Sequence, residues 1–161
     1  MNWLLVLTVA AALGNGLVAG TFFAFSSFFM PSLARLPTSE GVAAMQSINV
    51  VILNSLFMVV FLATVALCVV LALVALMQWE MAASSGLLIG GLLYLLGTLL
   101  VTVAFNVPLN EMLAAVTSDS PSAREVWQRY LETWTVWNHV RTVTALMASL
   151  VLIVTALNSS R

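Results

Sequence analysis

Charge is the first thing this sequence lacks. Five arginines and six acidic residues serve 161 positions, and there is no lysine. Only 7% of the chain is charged and 62% is hydrophobic, whereas a soluble domain carries about 25% charged residues. So little charge cannot clothe a water-facing surface, and lipid is the expected solvent for most of the chain. A formal net charge of −1 excludes electrostatic capture of nucleic acid. The lone histidine, His139, excludes a b-type haem held by two imidazoles. The lone cysteine, Cys68, excludes an internal disulfide and a paired-thiol oxidoreductase. One residue of each kind also falls short of a zinc or copper ligand set. No acidic residue interrupts an apolar run, as a proton-coupled exporter would require, and no glycine loop suited to phosphate occurs. The chain is therefore expected to carry no metal or nucleotide cofactor.

What is present is four long apolar stretches, at about 3–29, 50–77, 86–105 and 140–157. The first has no basic residue before it and is too long for a signal-peptide core, so it reads as a retained helix. Pro31 is expected to end it and Pro108 to stop the third span. Thr38-Ser39-Glu40 offers cap residues for a helix starting near Gly41 and running unbroken into the second span. Gly86, Gly90, Gly91 and Gly97 would let the third span pack closely, within the chain or in a homo-oligomer. Ser122-Ala123-Arg124-Glu125 matches a capping box. With no glycine or proline after it, one helix of about 36 residues is expected, with about 122–139 outside the bilayer. The fold class is thus all-α, a single four-helix membrane bundle over 1–161 whose long fourth helix projects from the bilayer.

Four spans place both termini on one side. Arg35, Arg124 and Arg129 lie on the other, with Arg141 at its border and only Arg161 beside the termini. The excess of positive charge assigns the loops at 30–48 and 107–138 to the cytoplasmic side of a multi-pass membrane protein.

The polar residues converge on that loop side. Span 1 ends there with Ser26 and Ser27; Gln46, Asn49 and Asn54 lead into span 2. Span 3 ends there with Thr102, Asn106 and Asn110, and span 4 begins with Asn138, His139 and Arg141. An unpaired buried amide costs on the order of 1–3 kcal/mol, so these groups either satisfy one another around a shared pocket or sit hydrated at the interface. Asn15, in the middle of span 1, reads as a helix-pairing residue.

Aromatic residues gather in the same region. WQRYLETWTVWNHVRT, residues 127–142, holds three of five tryptophans. Trp127, Tyr130, Trp134, Trp137 and Arg141 recur at helical spacing and form one stripe, with Arg141 placed to stack on Trp137. The stripe is either an interfacial belt or the wall of a cavity for a flat ligand.

In GLVAGTFFAFS, MQSINVVILN, FNVPLNEML and the 127–142 run, the chain resembles the anthrone oxygenase-like family of small four-span membrane proteins. The Asn106–Asn110 motif and the Trp137–Thr142 run are its most specific parts. Fungal members oxidise anthrones to anthraquinones with molecular oxygen and no known cofactor, so the resemblance implies a hydrophobic aromatic substrate, oxygen as co-substrate and the bilayer as setting. Such chemistry needs a base, an oxyanion site and an aromatic slot. His139 is the candidate base, whose loss would cost about 10²–10⁴-fold in rate. Arg141 with Asn106 or Asn138 is the candidate oxyanion site, and Trp134 and Trp137, with Tyr130, Asn110, Asn49 and Asn54 nearby, the candidate substrate slot. The rival reading is a non-catalytic membrane protein that binds a quinone or lipid, or a subunit of a membrane complex.

Overall fold

The computed structural model describes residues 3–159, and every regular element among them is helical. Helices α1 (Trp3–Leu33), α2 (Thr38–Leu53), α3 (Leu56–Met77), α4 (Ser84–Ala114) and α5 (Ala123–Ser159) follow in chain order. All but α2 are long and apolar enough to cross a membrane. The chain is an all-α bundle and an integral membrane protein. Arg161, counted above with the termini, lies outside the described residues.

The four long helices form a ring in which α5 packs on α1 and α4, and α3 packs on the same two from the other side. Leu4, the turn at 78–83 and Asn158 border one hollow at one end of the bundle. The short helix α2 lies across the opposite end, against α5 and the last turns of α1 and α4. Leucines and valines such as Leu13, Val59, Leu62 and Val143 point outward, which costs nothing where the surroundings are acyl chains. Lipid gives apolar side chains no reason to hide, so close packing must hold the helices together. Gly91 shows how: a Cβ there would lie 2.9 Å from the Cys68 carbonyl oxygen, while one on Gly90 would meet the Leu152 side chain at 2.7 Å. Gly86 and Gly97 likewise sit against Thr155 and Thr144 of α5. All four span-3 glycines are therefore engaged within the chain. At mid-bundle, Asn15 donates to the Ala11 carbonyl at 2.8 Å and reaches the buried Cys68 sulfur at 3.6 Å, linking α1 to α3.

Neither proline expected to end a helix does so. Pro31 and Pro108 each sit in an α-helical turn that resumes directly after a π-helical segment, Phe25–Phe29 and Thr102–Asn106 respectively. A proline has no N–H, and its ring collides with the carbonyl four residues back. That carbonyl belongs to Ser27 or Ala104, inside the widened π turn, where an i→i+5 spacing makes room. The helices run on, and α4 carries Asn110 on its wall.

The unbroken helix expected from Gly41 to Met77 is divided. The chain leaves helical geometry at Asn54 (φ −110°, ψ 18°) and becomes extended at Ser55 (φ −94°, ψ 161°) before α3 begins. The Ser55 hydroxyl donates to the Ile52 carbonyl at 2.7 Å. Asn and Ser offer the backbone such local alternatives to a helix ladder, and the pair separates α2 from α3. At the start of α5 the Ser122 hydroxyl pairs with that of Ser120 at 3.2 Å.

Candidate functional site

The aromatic stripe of α5 turns inward along most of its length. Trp127, Tyr130 and Trp134 are buried and stack in sequence, with centroids 5.8 and 5.7 Å apart. Trp127 lies against Gly41 of α2, and the stripe closes a core with Met30, Val42, Met45, Leu109 and Leu113. Gln46 of α2 fastens this end by donating to the carbonyls of Leu113 and Val116, at 2.8 and 2.9 Å. Leu113 lies in the last turn of α4 and Val116 two residues past its end, where backbone carbonyls need partners from outside the helix ladder. Trp137 leaves the stripe and stacks flat on Phe105, 3.6 Å between centroids.

Below this core lies a hollow of about 120 Å³ to which all five helices contribute. Phe22, Phe25, Phe57, Phe61 and Trp134 supply the aromatic part of its wall, joined by aliphatic side chains of α2, α3 and α4; its polar members are Thr21, Asn49, Thr102, Asn110 and Arg141. Asn110 accepts a 2.8 Å hydrogen bond from the buried Tyr130 hydroxyl. A larger trough of about 990 Å³ runs along the outer faces of α1 and α5, but Leu13, Leu17, Ile153 and their neighbours make it apolar, and no ionisable side chain lines it. Its surroundings suit acyl chains. The smaller hollow is the one with an ionisable side chain in its wall.

Arg141 is the ionisable side chain of that hollow, and it is only 4% exposed. One terminal nitrogen donates to the Asn138 side-chain oxygen at 2.6 Å and the other to the Thr102 hydroxyl at 3.2 Å. The guanidinium carbon stands 4.2 Å from the Phe22 ring centroid and 5.2 Å from that of Trp134, so the cation stacks on these two rings and not on Trp137. Its Nε has no partner, and no acidic side chain pairs with it among the described residues. Desolvating such an ion costs several kcal/mol. Hydrogen bonds and ring faces offset part of that cost; an anion would offset far more. Trp134, in the same wall, also keeps a buried Nε1–H with no acceptor.

Asn138 holds the arginine in place. Its amide nitrogen donates to the Phe22 carbonyl at 2.7 Å and to the Ser26 hydroxyl, leaving its oxygen for Arg141. All its hydrogen-bonding atoms are thus engaged within the protein, so it positions the cation and does not itself face a ligand. Asn106 performs a similar service between helices, donating to the Trp134 carbonyl at 3.2 Å; its own side-chain oxygen is buried without a partner. Thr98, in a third π segment (Leu95–Leu100), reaches the Arg141 carbonyl at 3.5 Å. Three π segments thus flank one buried arginine, a placement common around functional sites.

Of the residues singled out from the sequence, the structure brings Trp134, Arg141, Asn49 and Asn110 to the hollow, with Tyr130, Asn138 and Asn106 directly behind its wall. Asn54 and His139 are exposed on the outer surface and line no part of it. A helix turns about 100° per residue, so the neighbour of an inward Asn138 points elsewhere. The phenylalanines of α1 and α3 and the aliphatic wall of α2 gave no signal against so apolar a background. Among the described residues no group of three or more His, Cys, Asp or Glu could hold a metal ion.

In comparison with known proteins, the model of one family, described as Anthrone oxygenase, matches residues 56–151. The match spans more than half of the chain and includes Thr102, Asn110, Trp134, Asn138 and Arg141. No curated protein and no solved structure matches.

Proposed function

Because the chain belongs to the anthrone oxygenase family, we propose that it oxidises an acidic, anthrone-like aromatic molecule with molecular oxygen inside the bilayer. The observation that carries this reading is Arg141, a buried cation without an acidic partner among the described residues, in the wall of an aromatic hollow. An anthrone has a methylene between two aromatic rings, opposite a ring carbonyl. Loss of one methylene proton moves negative charge onto that carbonyl oxygen, and a guanidinium beside it stabilises the anion in a setting that excludes water. The anion is electron-rich enough to reduce oxygen, forming a peroxide at the former methylene carbon. Loss of water from the peroxide leaves the quinone: one oxygen atom stays as the new carbonyl, and the other departs with the two methylene hydrogens.

In this scheme Arg141 provides the oxyanion site. Asn138 and Thr102 orient it; Trp134 and Phe22 hold the ring. No acidic or imidazole side chain lines the hollow, and His139 lies outside it. The proton therefore passes to water at the bilayer surface before the molecule enters, and a proton returns when the peroxide loses water. The test is oxygen uptake by the purified full chain with a panel of anthrones. Wild type should accelerate uptake, and Arg141→Gln should lose about 10²–10³-fold in kcat, the usual cost of one oxyanion donor, while keeping its melting temperature within a few degrees. No acceleration with any anthrone, or full activity in Arg141→Gln, would refute the reading.

A second reading draws on the lack of any acidic or imidazole side chain in the lining. A site with a cation and no base suits a protein that holds an aromatic anion without transforming it. Saturable binding with no oxygen uptake would select it.

A further inference from the structure

Volume, polarity and opening together limit what the hollow can hold. At about 120 Å³ it is slightly smaller than an engineered apolar cavity of roughly 150 Å³ that takes up one benzene. A single aromatic ring therefore fits with little adjustment. Three fused rings have more than twice the carbon of benzene and must push the wall apart.

Two of the polar groups lie deepest, while Thr21, Asn49, Thr102 and Asn110 are part-buried. Arg141 and Trp134 are 4% and 5% exposed and carry the two donors without acceptors, Nε and Nε1. Asn110 accepts from Tyr130 through its oxygen, so its amide N–H groups are what it can offer a ligand. These donors ask for an oxygen that accepts hydrogen bonds.

The hollow also opens outward. Leu53 lines the hollow and is 64% exposed, and it immediately precedes the break at Asn54–Ser55. Its lining neighbours on either side of the break are Ile52, Phe57 and Met58. A route for water or a polar ligand would be expected to carry hydroxyls or charges. This one carries hydrocarbon in its lining and opens beside the start of the span Leu56–Met77, where Leu56 and Val59 are exposed as well.

We propose that the hollow takes a single-ring phenol or quinone headgroup whose oxygen meets Arg141 and Trp134, and whose apolar tail runs out past Leu53 into the bilayer. The inference rests on the reading of Arg141 as an acceptor or anion site and adds the class of ligand: a one-ring amphiphile delivered from the membrane. The break between α2 and α3 then serves as a side door, because two helices that end there leave a gap that a continuous helix would close.

The test uses the full chain in lipid nanodiscs with two probes, a para-benzoquinone bearing one decyl tail and the same unsubstituted ring without its tail. Binding is read from tryptophan fluorescence, with concentrations corrected for partition into lipid. Both rings are expected to quench saturably, because Trp134 forms part of the wall. Arg141→Gln should weaken both about tenfold or more, the worth of a hydrogen bond to a charged group. Leu53→Asp puts a charge where the tail leaves, so it should weaken the tailed probe about tenfold more than the tailless one and abolish the advantage the tail gives. Quenching that never saturates, a tailed ring that fails to bind, or Leu53→Asp affecting both probes alike would overturn the proposal. The reaction is judged separately: Arg141-dependent oxidation of anthrones without binding of the tailed ring sinks the ligand class alone. Binding of the tailed ring without oxidation of any anthrone sinks the reaction and leaves the ligand class standing.

Discussion

Arg141 and His139 are two positions apart, and the sequence presents them as equals. Both are rare in so apolar a chain, and both fall in the region where the four polar segments meet. The fold separates them: Arg141 is buried against Phe22 and Trp134, and His139 is exposed. Helix phase explains the difference. Spacing alone showed the stripe Trp127, Tyr130, Trp134, Trp137, Arg141; in the fold Trp137 leaves it for Phe105, Asn138 joins the buried face, and His139 belongs to another. Its replacement should accordingly resemble any other surface change. In oxygen-uptake assays His139→Ala is expected to stay within about twofold of wild type, the scale of an ordinary exposed substitution. A loss of a hundredfold would return the imidazole to the chemistry. What spacing could not reveal was which aromatic ring the guanidinium would choose. Trp137 is nearer in sequence, but it stacks on Phe105, and the rings Arg141 finds come from α1 and from one turn further back on α5.

The elements show where local rules were overridden. Proline is a reliable stop in water, where a helix has little to lose by ending. Here Pro31 and Pro108 lie in helices that continue through widened turns, because ending a helix at the membrane edge would leave backbone groups without partners. The break at Asn54–Ser55 was hidden for the opposite reason. Neither residue is a strong breaker, and the apolar pattern on both sides reads as one run. Glycine was more legible: the third span carries four, and all four make close contacts with neighbouring helices. Gly91 is the stringent case, since its neighbour is a backbone carbonyl that cannot rotate away. Gly91→Val should destabilise the protein by about 1–3 kcal/mol through overpacking, seen as a lower melting temperature in detergent. An unchanged melting temperature would mean that α3 and α4 separate more freely than their contact suggests.

At the scale of the whole molecule, composition alone was enough to place the chain in lipid, and four apolar helices long enough to cross a membrane are there. The cavity was less legible, since its location followed from converging amides but most of its wall is phenylalanine, leucine and methionine in a chain made of such residues. Sidedness follows from the ring of four antiparallel helices, which gathers Leu4, the 78–83 turn and Asn158 at one end. Tags on the two termini should therefore be cleaved together, from outside in intact cells, if the arginine-bearing end faces the cytoplasm. Cleavage of one tag without the other would contradict the arrangement of four spans. The outward-facing Leu53 also bears on how activity must be measured. A site reached through hydrocarbon responds to the mole fraction of ligand among the phospholipids, so adding empty vesicles dilutes the ligand while the buffer composition stays constant. Apparent half-saturation should climb with the lipid-to-protein ratio, and potency rankings among ligands should be made per lipid and not per litre.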